Sequence, residues 1–575
     1  MADGRTGDEG AATLHRDWPL RPWVSAGLMA LAGLAFYWIG DIGGGTPEDH
    51  PWRIAIAAAI LFASLMLAFT LEEDAPKKPV LFSVLTGAII GGIAWRVARA
   101  ADIHVDAPFW MAAGIVSGAL ALPLFQSGFH RLRWQTSYPR THFHVWTDAI
   151  SFAGAVAFTG LSWLLLFLLS ELFSAIRIDV LRELIDEGWF GWGFSGAAFG
   201  AALGTLRNNL AILGTLQRVV MLVFAILAVP LAAALAVFLA SVGLSGLDVL
   251  WEATKSATPL LLSVAVGAFV LANAVLRDSD ADMSGSRIQR GAAALLALGI
   301  LPLSILAAIS IGTRIAQHGL TPERIWALIA IAVAVAYGIG YFVAAILSRR
   351  QGWERLRQAN LHLAVGTMVL ALLLALPILD FGAISARNQV ARLESDAVSA
   401  EDFDFQALRW DFGEGGRAAL ARLAKSADPD IAKQAREAQA SQQRAYFGDR
   451  EDLSEKKRRL ANLRTEIADT RLRAEIEDIV RQNQWQCDKP CVVLDLGPAA
   501  GRGTGRQIAF VENGGVTREV IGDPTAAPNG TVAVETHITG LAQEGVRQTA
   551  TSQVEVREWT GRRIYVDGRP IGPAF

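Results

Sequence analysis

Few residues in this chain have the types and spacing that chemistry requires. Its only two cysteines are Cys487 and Cys491, in Gln486-Cys487-Asp488-Lys489-Pro490-Cys491. An even pair in an oxidising compartment is most simply a disulfide closing a tight turn. A redox-active pair would bring the two-residue spacing and βαβ context of thioredoxin-like motifs, and neither is present. A metal centre would need two further ligands, and His537 is the sole histidine in that region. A second group comprises His130, His142, His144 and Asp148. Imidazole and carboxylate suit zinc or another divalent ion, and an extended His-x-His would turn both rings the same way. The competing reading, which the pattern favours, is interfacial: with Trp134, Tyr138 and Trp146, these side chains would lie at headgroup level.

The run from Gly497 through Gly501 and Gly503 to Gly505 invites a phosphate-loop reading. It lacks the Gly-Lys-Ser/Thr ending and a following helix, so a flexible loop between strands fits better. No nucleophile elbow, zinc-protease motif or kinase motif is present. The chain is therefore expected to be non-enzymatic, with no catalytic residue and no cofactor.

The elements that must carry these residues are written in the hydropathy. Of 575 residues, 52% are apolar and only 19% charged, which would be odd for a soluble protein of this size. No charged side chain occurs from Ala149 to Ser170 or from Val219 to Leu247. A helical span needs about 20 mainly apolar residues, and lipid leaves helices as the sensible form. Eleven segments meet or approach this: 22–40, 54–71, 79–95, 107–125, 148–171, 189–206, 219–242, 257–276, 291–312, 324–348 and 359–380. The first ends in Phe36-Tyr37-Trp38 without a small-x-small cleavage site, so it is expected to remain as a span rather than be removed as a signal. Trp23, Trp38, Trp52, Trp95, Trp110, Trp251 and Trp326 sit near span ends, where interfacial anchors belong. The span centres lack Asp, Glu, Lys and Arg, which argues against a proton- or sodium-coupled transporter.

Residues 189–206 are the weak member, short and glycine-rich. Gly196, Gly200 and Gly204 recur every four residues on one face, a spacing that lets helices approach closely in lipid. A re-entrant or interfacial segment is the alternative, and it would invert everything that follows. With eleven spans, one set of alternate loops carries 17 Lys and Arg and the other eight. The positive-inside rule puts the first set, including the tail of residues 1–21, in the cytoplasm and the C-terminal region on the far side.

After Asp380 the texture changes. Residues 381–486 read as a soluble helical region, with short helices over 383–397 and 414–445 and a long amphipathic helix from Glu451 to Gln484. The interval from Ile467 to Leu472 breaks its heptad. Over 487–575 the period becomes two, predicting a small antiparallel β-module. Its strands are expected at 491–495, 507–512, 516–521, 531–538, 553–558 and 562–566, with turns at Asn513-Gly514, Thr560-Gly561 and Asp567-Gly568. The fold class is thus mainly α: a transmembrane bundle over 22–380 with a C-terminal α+β region.

One stretch carries a family likeness. Ile384-Ser-Ala-Arg-Asn-Gln389-Val-Ala-Arg392-Leu393 is followed by Asp402-Phe-Asp404-Phe-Gln-Ala-Leu408 and by Phe412-Gly413-Glu-Gly-Gly416-Arg-Ala-Ala-Leu420-Ala-Arg-Leu423. This resembles the bacterial membrane family of domain of unknown function 4153, in which a polytopic core precedes such a segment. Trp146-Thr-Asp148, entering the fifth span, is similar to it too. The resemblance covers roughly residues 20–425 and implies architecture without any activity. Together these observations lead us to expect an inner-membrane protein with a cytoplasmic N-terminus and a periplasmic binding or sensing domain. Its partners would be the lipid bilayer and an envelope protein met through the C-terminal domain, with no nucleic acid. The alternative is a transporter or lipid-handling protein.

Overall fold

The structure is a computed structural model that describes residues 18–41, 50–73, 75–100, 102–246, 257–280, 282–347, 352–441, 453–465, 467–483, 486–499, 505–512, 515–521, 537–538, 549, 551–559 and 561–571. Apolar runs become helices α1 (Arg21–Asp41), α2 (Pro51–Thr70), α3 (Lys77–Ala100), α4 (Ala107–Gln126), α5 (Tyr138–Ser174), α6 (Gly188–Asn208), α7 (Leu210–Ser245), α8 (Ala257–Leu276), α9 (Arg287–His318), α10 (Pro322–Leu347) and α11 (Gly352–Ala375). Ten of these, among the described residues, are long and apolar enough to cross a bilayer. The exception is α6, which has the length at 21 residues but not the apolarity, because glycines dilute it.

Nevertheless α6 runs antiparallel to α1 over its whole length. Gly188 lies against the Tyr37 ring, Gly193 against Leu34, Gly196 against Met29, Gly200 against Ser25 and Gly204 against Pro22. At the end of this seam the Trp18 amide donates to Asn208 Oδ1 at 3.0 Å. A Cβ on Gly196 or Gly200 would collide with the backbone carbonyl of Met29 or Ser25, and one on Gly204 would lie 2.7 Å from Pro22 Cα. A four-residue spacing in a helix of about 3.6 residues per turn keeps these positions on one stripe.

The helix ends sort into two faces. At one face, Asp106, just before α4, accepts from Trp326 near the start of α10. There too, Arg96 of α3 donates to the Ala375 carbonyl at the end of α11. At the other, Arg21 donates to the carbonyls of Leu71 and Arg207, and Gln126 and Arg207 both donate to Asp148. Were α6 not a crossing, the loops after α3 and after α9 would lie on opposite faces, roughly 30 Å apart. Asp106 and Trp326 could not then meet, so α6 traverses the bundle.

Packing follows the same logic of small residues inside and large apolar ones outside. Ala265, Ala268 and Ala272 of α8 and Ala293, Ala297 and Ala307 of α9 are buried, and with Leu296, Ile300 and Leu303 they form the largest core. Only 6% of the most apolar stretch of α5 is buried, and Leu161, Leu164, Leu165 and Leu168 face outward. In lipid that is the side-chain distribution expected of a peripheral helix, because hydrocarbon solvates it.

The chain divides into two compact units, Met1–Ala397 with Ala407–Gln439, and Val398–Gln406 with Ala440–Phe575. Asp380 therefore ends the apolar region without ending the first unit. Helices α12 (Phe381–Glu394), α13 (Gly413–Leu423) and α14 (Pro429–Ala440) follow it. Gly382 abuts the Phe412 carbonyl, and a Cβ on Gly415 would lie 2.6 Å from Ala383 Cα, so α12 and α13 pack backbone to backbone.

In the second unit the expected long helix over 451–484 is interrupted. It becomes α15 (Leu453–Asn462), strand β1 (Leu463–Thr465) and α16 (Thr470–Gln482). Asp469 Oδ1 accepts from the amides of Arg471 and Leu472 at 2.9 and 3.3 Å, an N-cap that starts a new helix where the heptad breaks. Five strands follow the order β1, β2 (Cys491–Pro498), β3 (Arg506–Glu512), β4 (Gly515–Ile521), β5 (His537–Ile538). The β1–β2 pair is parallel, which the expected antiparallel module did not include. Strands β6 (Val554–Trp559), β7 (Gly561–Val566) and β8 (Arg569–Ile571) make a second sheet. Period-two alternation sends Val493, Ile508 and Phe510 to Leu472, Ile476 and Val480 of α16, and Val492, Ala509 and Val511 to Val554, Ile564 and Val566 of the second sheet. The Asp567-Gly568 turn has φ of 46° and 77°, as a two-residue hairpin needs. The turns at 513–514 and at Thr560, and residues 531–536 of one predicted strand, lie outside the described residues.

Glu519 of β4 is buried, with the Gln486 amide donating to it. Burial pushes its carboxyl above the ordinary value of 4.5, and the Gln486 donor opposes this without cancelling it. A raised carboxyl supplies stability that is complete below about pH 4.5 and is lost as pH rises through the raised value. Glu519→Gln is therefore expected to make the second unit more protease-resistant at pH 7.5 and to leave it unchanged at pH 4. Limited proteolysis of the full-length protein across that range checks this.

Candidate functional site

The best-built polar cluster lies where α3, α4, α10, α11 and the post-bundle helices meet. Its centre is Asp106, whose side chain is 1% exposed. Asp106 Oδ2 accepts from the indole Nε1 of Trp110, one turn along α4, and of Trp326, both at 3.1 Å. His104 Nδ1 lies 3.6 Å from Asp106 Oδ1. Burial pushes the Asp106 carboxyl up, but His104 and the two indole donors outweigh it and hold the group below its ordinary value. The carboxylate is thus a charged tie between three elements.

The family-like segment closes over this loop. Gly413 donates its amide to the Ile103 carbonyl at 2.7 Å, Val105 to the Asp411 carbonyl at 3.3 Å, and His104 pairs with Phe412 as an isolated bridge. Gly413 has φ of 60°, and a Cβ there would collide with the His104 ring. Both facts call for glycine. The helix α12 side chains have an equally definite task. Gln389 Nε2 donates to the carbonyls of His318 and Leu320 at 2.9 Å. Arg392 donates to the carbonyls of Ala316 and Gln317, and Asn388 accepts from the Leu320 amide. These side chains satisfy the carbonyls that the end of α9 leaves unpaired.

Beside Asp106 opens a cavity of about 340 Å³ lined by Trp95, Arg96, Arg99, Ala100, His104, Trp110 and Pro377–Asp380. The Arg96 guanidinium sits 3.5 Å above the Trp110 ring centroid and that of Arg99 4.9 Å above Trp95. Asp380 uses Oδ1 to cap α12, accepting from the Ala383 amide at 2.8 Å.

The residues singled out in the sequence fall elsewhere. His142, His144 and Asp148 belong to the first three turns of α5, which starts at Tyr138, and not to a loop. In a helix, residues two apart point about 200° from each other, so the extended His-x-His geometry is not realised. His142 Nε2 accepts from Trp146, His130 stacks on Phe125, and Asp148 pairs with Arg207 at 2.6 Å. Among the described residues no group of three or more His, Cys, Asp or Glu is placed to hold a metal. Gly196, Gly200 and Gly204 line the α1–α6 seam. Cys487 and Cys491 form a disulfide with Cα atoms 5.1 Å apart. Glu512 accepts from the Cys487 and Lys489 amides, and Asn462 donates to the Cys487 and Asp488 carbonyls, so the loop is braced on both sides. Sequence reading had placed Trp95, Trp110 and Trp326 as anchors and counted Arg96 and Arg99 only as charges. The His104-Val-Asp106 pair in a short inter-span loop was the available signal.

Long apolar helices, an outward-facing apolar surface and polar clusters at the two ends define a multi-pass α-helical membrane protein. Within that class the chain belongs to the family described as domain of unknown function (DUF4153), whose model matches residues 26–423. The match runs from α1 to the last residue of α13, so the segment clamped on α9 and the His104 loop is part of the family unit. No curated protein and no solved structure matches the chain.

Proposed function

We propose that this is a non-enzymatic binding or sensing protein of the bacterial inner membrane, with the N-terminus cytoplasmic and the C-terminal unit in the periplasm. The observation that carries the reading is the sorting of loops into two faces, which makes the number of crossings odd. The arginine- and lysine-rich loops then share one side, and the face with Asp106, Arg96 and the family segment takes the other. No helix long and apolar enough to cross follows Ala375 among the described residues, which supports the same compartment for the second unit. The braced Cys487–Cys491 disulfide suits an oxidising space. An envelope protein would meet the second unit through its small sheets, whose outer strands include β6 and β8. Lipid handling is the second reading, favoured by the cavity at the bundle face.

The test is thiol labelling in intact cells with a membrane-impermeant maleimide. Cys487 and Cys491, the chain's only cysteines, should label only after reduction and without lysis. Thiols that react without reductant, and only once cells are lysed, would overturn the orientation.

A further inference from the structure

We propose that the cavity bounded by Arg96, Arg99, His104, Trp95 and Trp110 binds a phosphate-bearing anion, presented as the headgroup of an anionic phospholipid. The first ground is how the two guanidiniums are held. Each stacks on an indole ring, Arg96 on Trp110 and Arg99 on Trp95. Among the described residues no carboxylate lies within ion-pair distance of either. Stacking uses the face of a guanidinium and leaves its N–H edge for an acceptor. Arg96 spends one Nη1 bond on the Ala375 carbonyl. Both Arg96 and Arg99 line the cavity, an arrangement suited to the several oxygens of a phosphate.

The second ground is size. A volume of 340 Å³ is at the low end for small-ligand sites, and suits a headgroup better than a whole lipid. The third is the apolar wall. Ile378, Leu379 and Trp95 line the cavity and are 60%, 47% and 44% exposed. They stand at the ends of α11 and α3, where a bilayer's hydrocarbon meets its headgroups. A ligand with an anionic head and an acyl tail matches both walls, whereas free phosphate would leave the apolar one unused. The carboxylates nearby do not close the site to anions, because Asp106 is committed to two indoles and Asp380 caps α12.

This inference deepens the binding reading above but does not depend on which face is periplasmic, so thiol labelling and lipid binding can fail separately. The experiment is native mass spectrometry of the full-length protein in detergent, titrated with phosphatidylglycerol, with phosphatidylcholine and with inorganic phosphate. One phosphatidylglycerol should bind with at least tenfold preference over phosphatidylcholine. Arg99→Gln should weaken it about tenfold or more, the worth of one charge-assisted contact, and Arg99→Lys should restore part of the loss. Arg99 lies at the exposed rim, so this variant tests the site without the Ala375 tie that Arg96→Gln would also break. Equal retention by Arg99→Gln and the unaltered protein, or equal affinity for both lipids, would overturn the site. Displacement of phosphatidylglycerol by millimolar inorganic phosphate would overturn the lipid as its source.

Discussion

Replacing Asp106 with alanine is expected to destabilise the first unit by about 3–5 kcal/mol, the cost of stripping charge-assisted bonds from buried partners. Three elements lose their tie at once. The buried Trp110 indole and the half-buried Trp326 indole would lose their acceptor, and His104 would lose the carboxylate 3.6 Å from its Nδ1. Asp106→Asn separates charge from geometry, since it keeps an oxygen for the indoles, and should cost only about 1–2 kcal/mol. The depressed carboxyl fixes the sign of the pH response. Its contribution is present above the ordinary carboxylate value of 3.8 and is lost as pH falls through the lower folded value. Thermal unfolding of the detergent-solubilised protein, monitored by tryptophan emission, checks all three statements. An alanine variant as stable as the unaltered protein would remove Asp106 from the centre of the site.

A comparable loss is expected from Gly200→Leu, and a larger one from Gly196→Leu combined with it. A side chain at either position must displace the α1 backbone, because the obstacle is the carbonyl of Ser25 or Met29 rather than a movable side chain. Overpacking typically costs about 1–3 kcal/mol per site, and a backbone obstacle puts each site at or above the upper end. Gly214→Leu is the control, since a Cβ there meets nothing within 4 Å. Cross-linking of paired cysteines at Phe36 and Trp192, whose rings lie 4.5 Å apart across the seam, in a cysteine-free background should report the seam directly, forming with the glycines intact and failing in the double variant.

Much of this architecture was legible in the chain because lipid imposes length and composition on anything that crosses it. Ten of the apolar runs became helices of the expected kind, and the glycine stripe pointed to close helix approach. The ends were less legible. Helix α5 extends three turns beyond its apolar run, through Tyr138 to Thr147, since Thr, His and Trp can sit in a helix without hydropathy revealing it. That is why an extended His142-x-His144 pair could be entertained from sequence. The site itself was hidden for a different reason. Trp326 and Asp106 are 220 positions apart, so their hydrogen bond leaves no trace in local periodicity. The family-like segment was recognisable by its letters, but the task of Gln389 and Arg392 became readable only with the carbonyls at the end of α9 beside them. The heptad break at Ile467 did not by itself predict an interrupted helix, yet a new helix starts from the Asp469 cap.

The α1–α6 seam has a consequence for how the protein is made. Helix α6 is too weakly apolar to favour the bilayer strongly by itself, and its partner α1 leaves the ribosome first. Trp18 and Asn208, which close the seam, are 190 positions apart. Helix α1 must therefore wait in the membrane through four further crossings before its glycine-lined partner emerges. Retention of α6 during biogenesis then depends on α1 being present and unoccupied. Replacing α1 with a polyleucine span, which keeps the number of crossings but removes the seam, should leave α6 stranded and invert every helix after it, turning a local packing contact into the determinant of the whole protein's insertion.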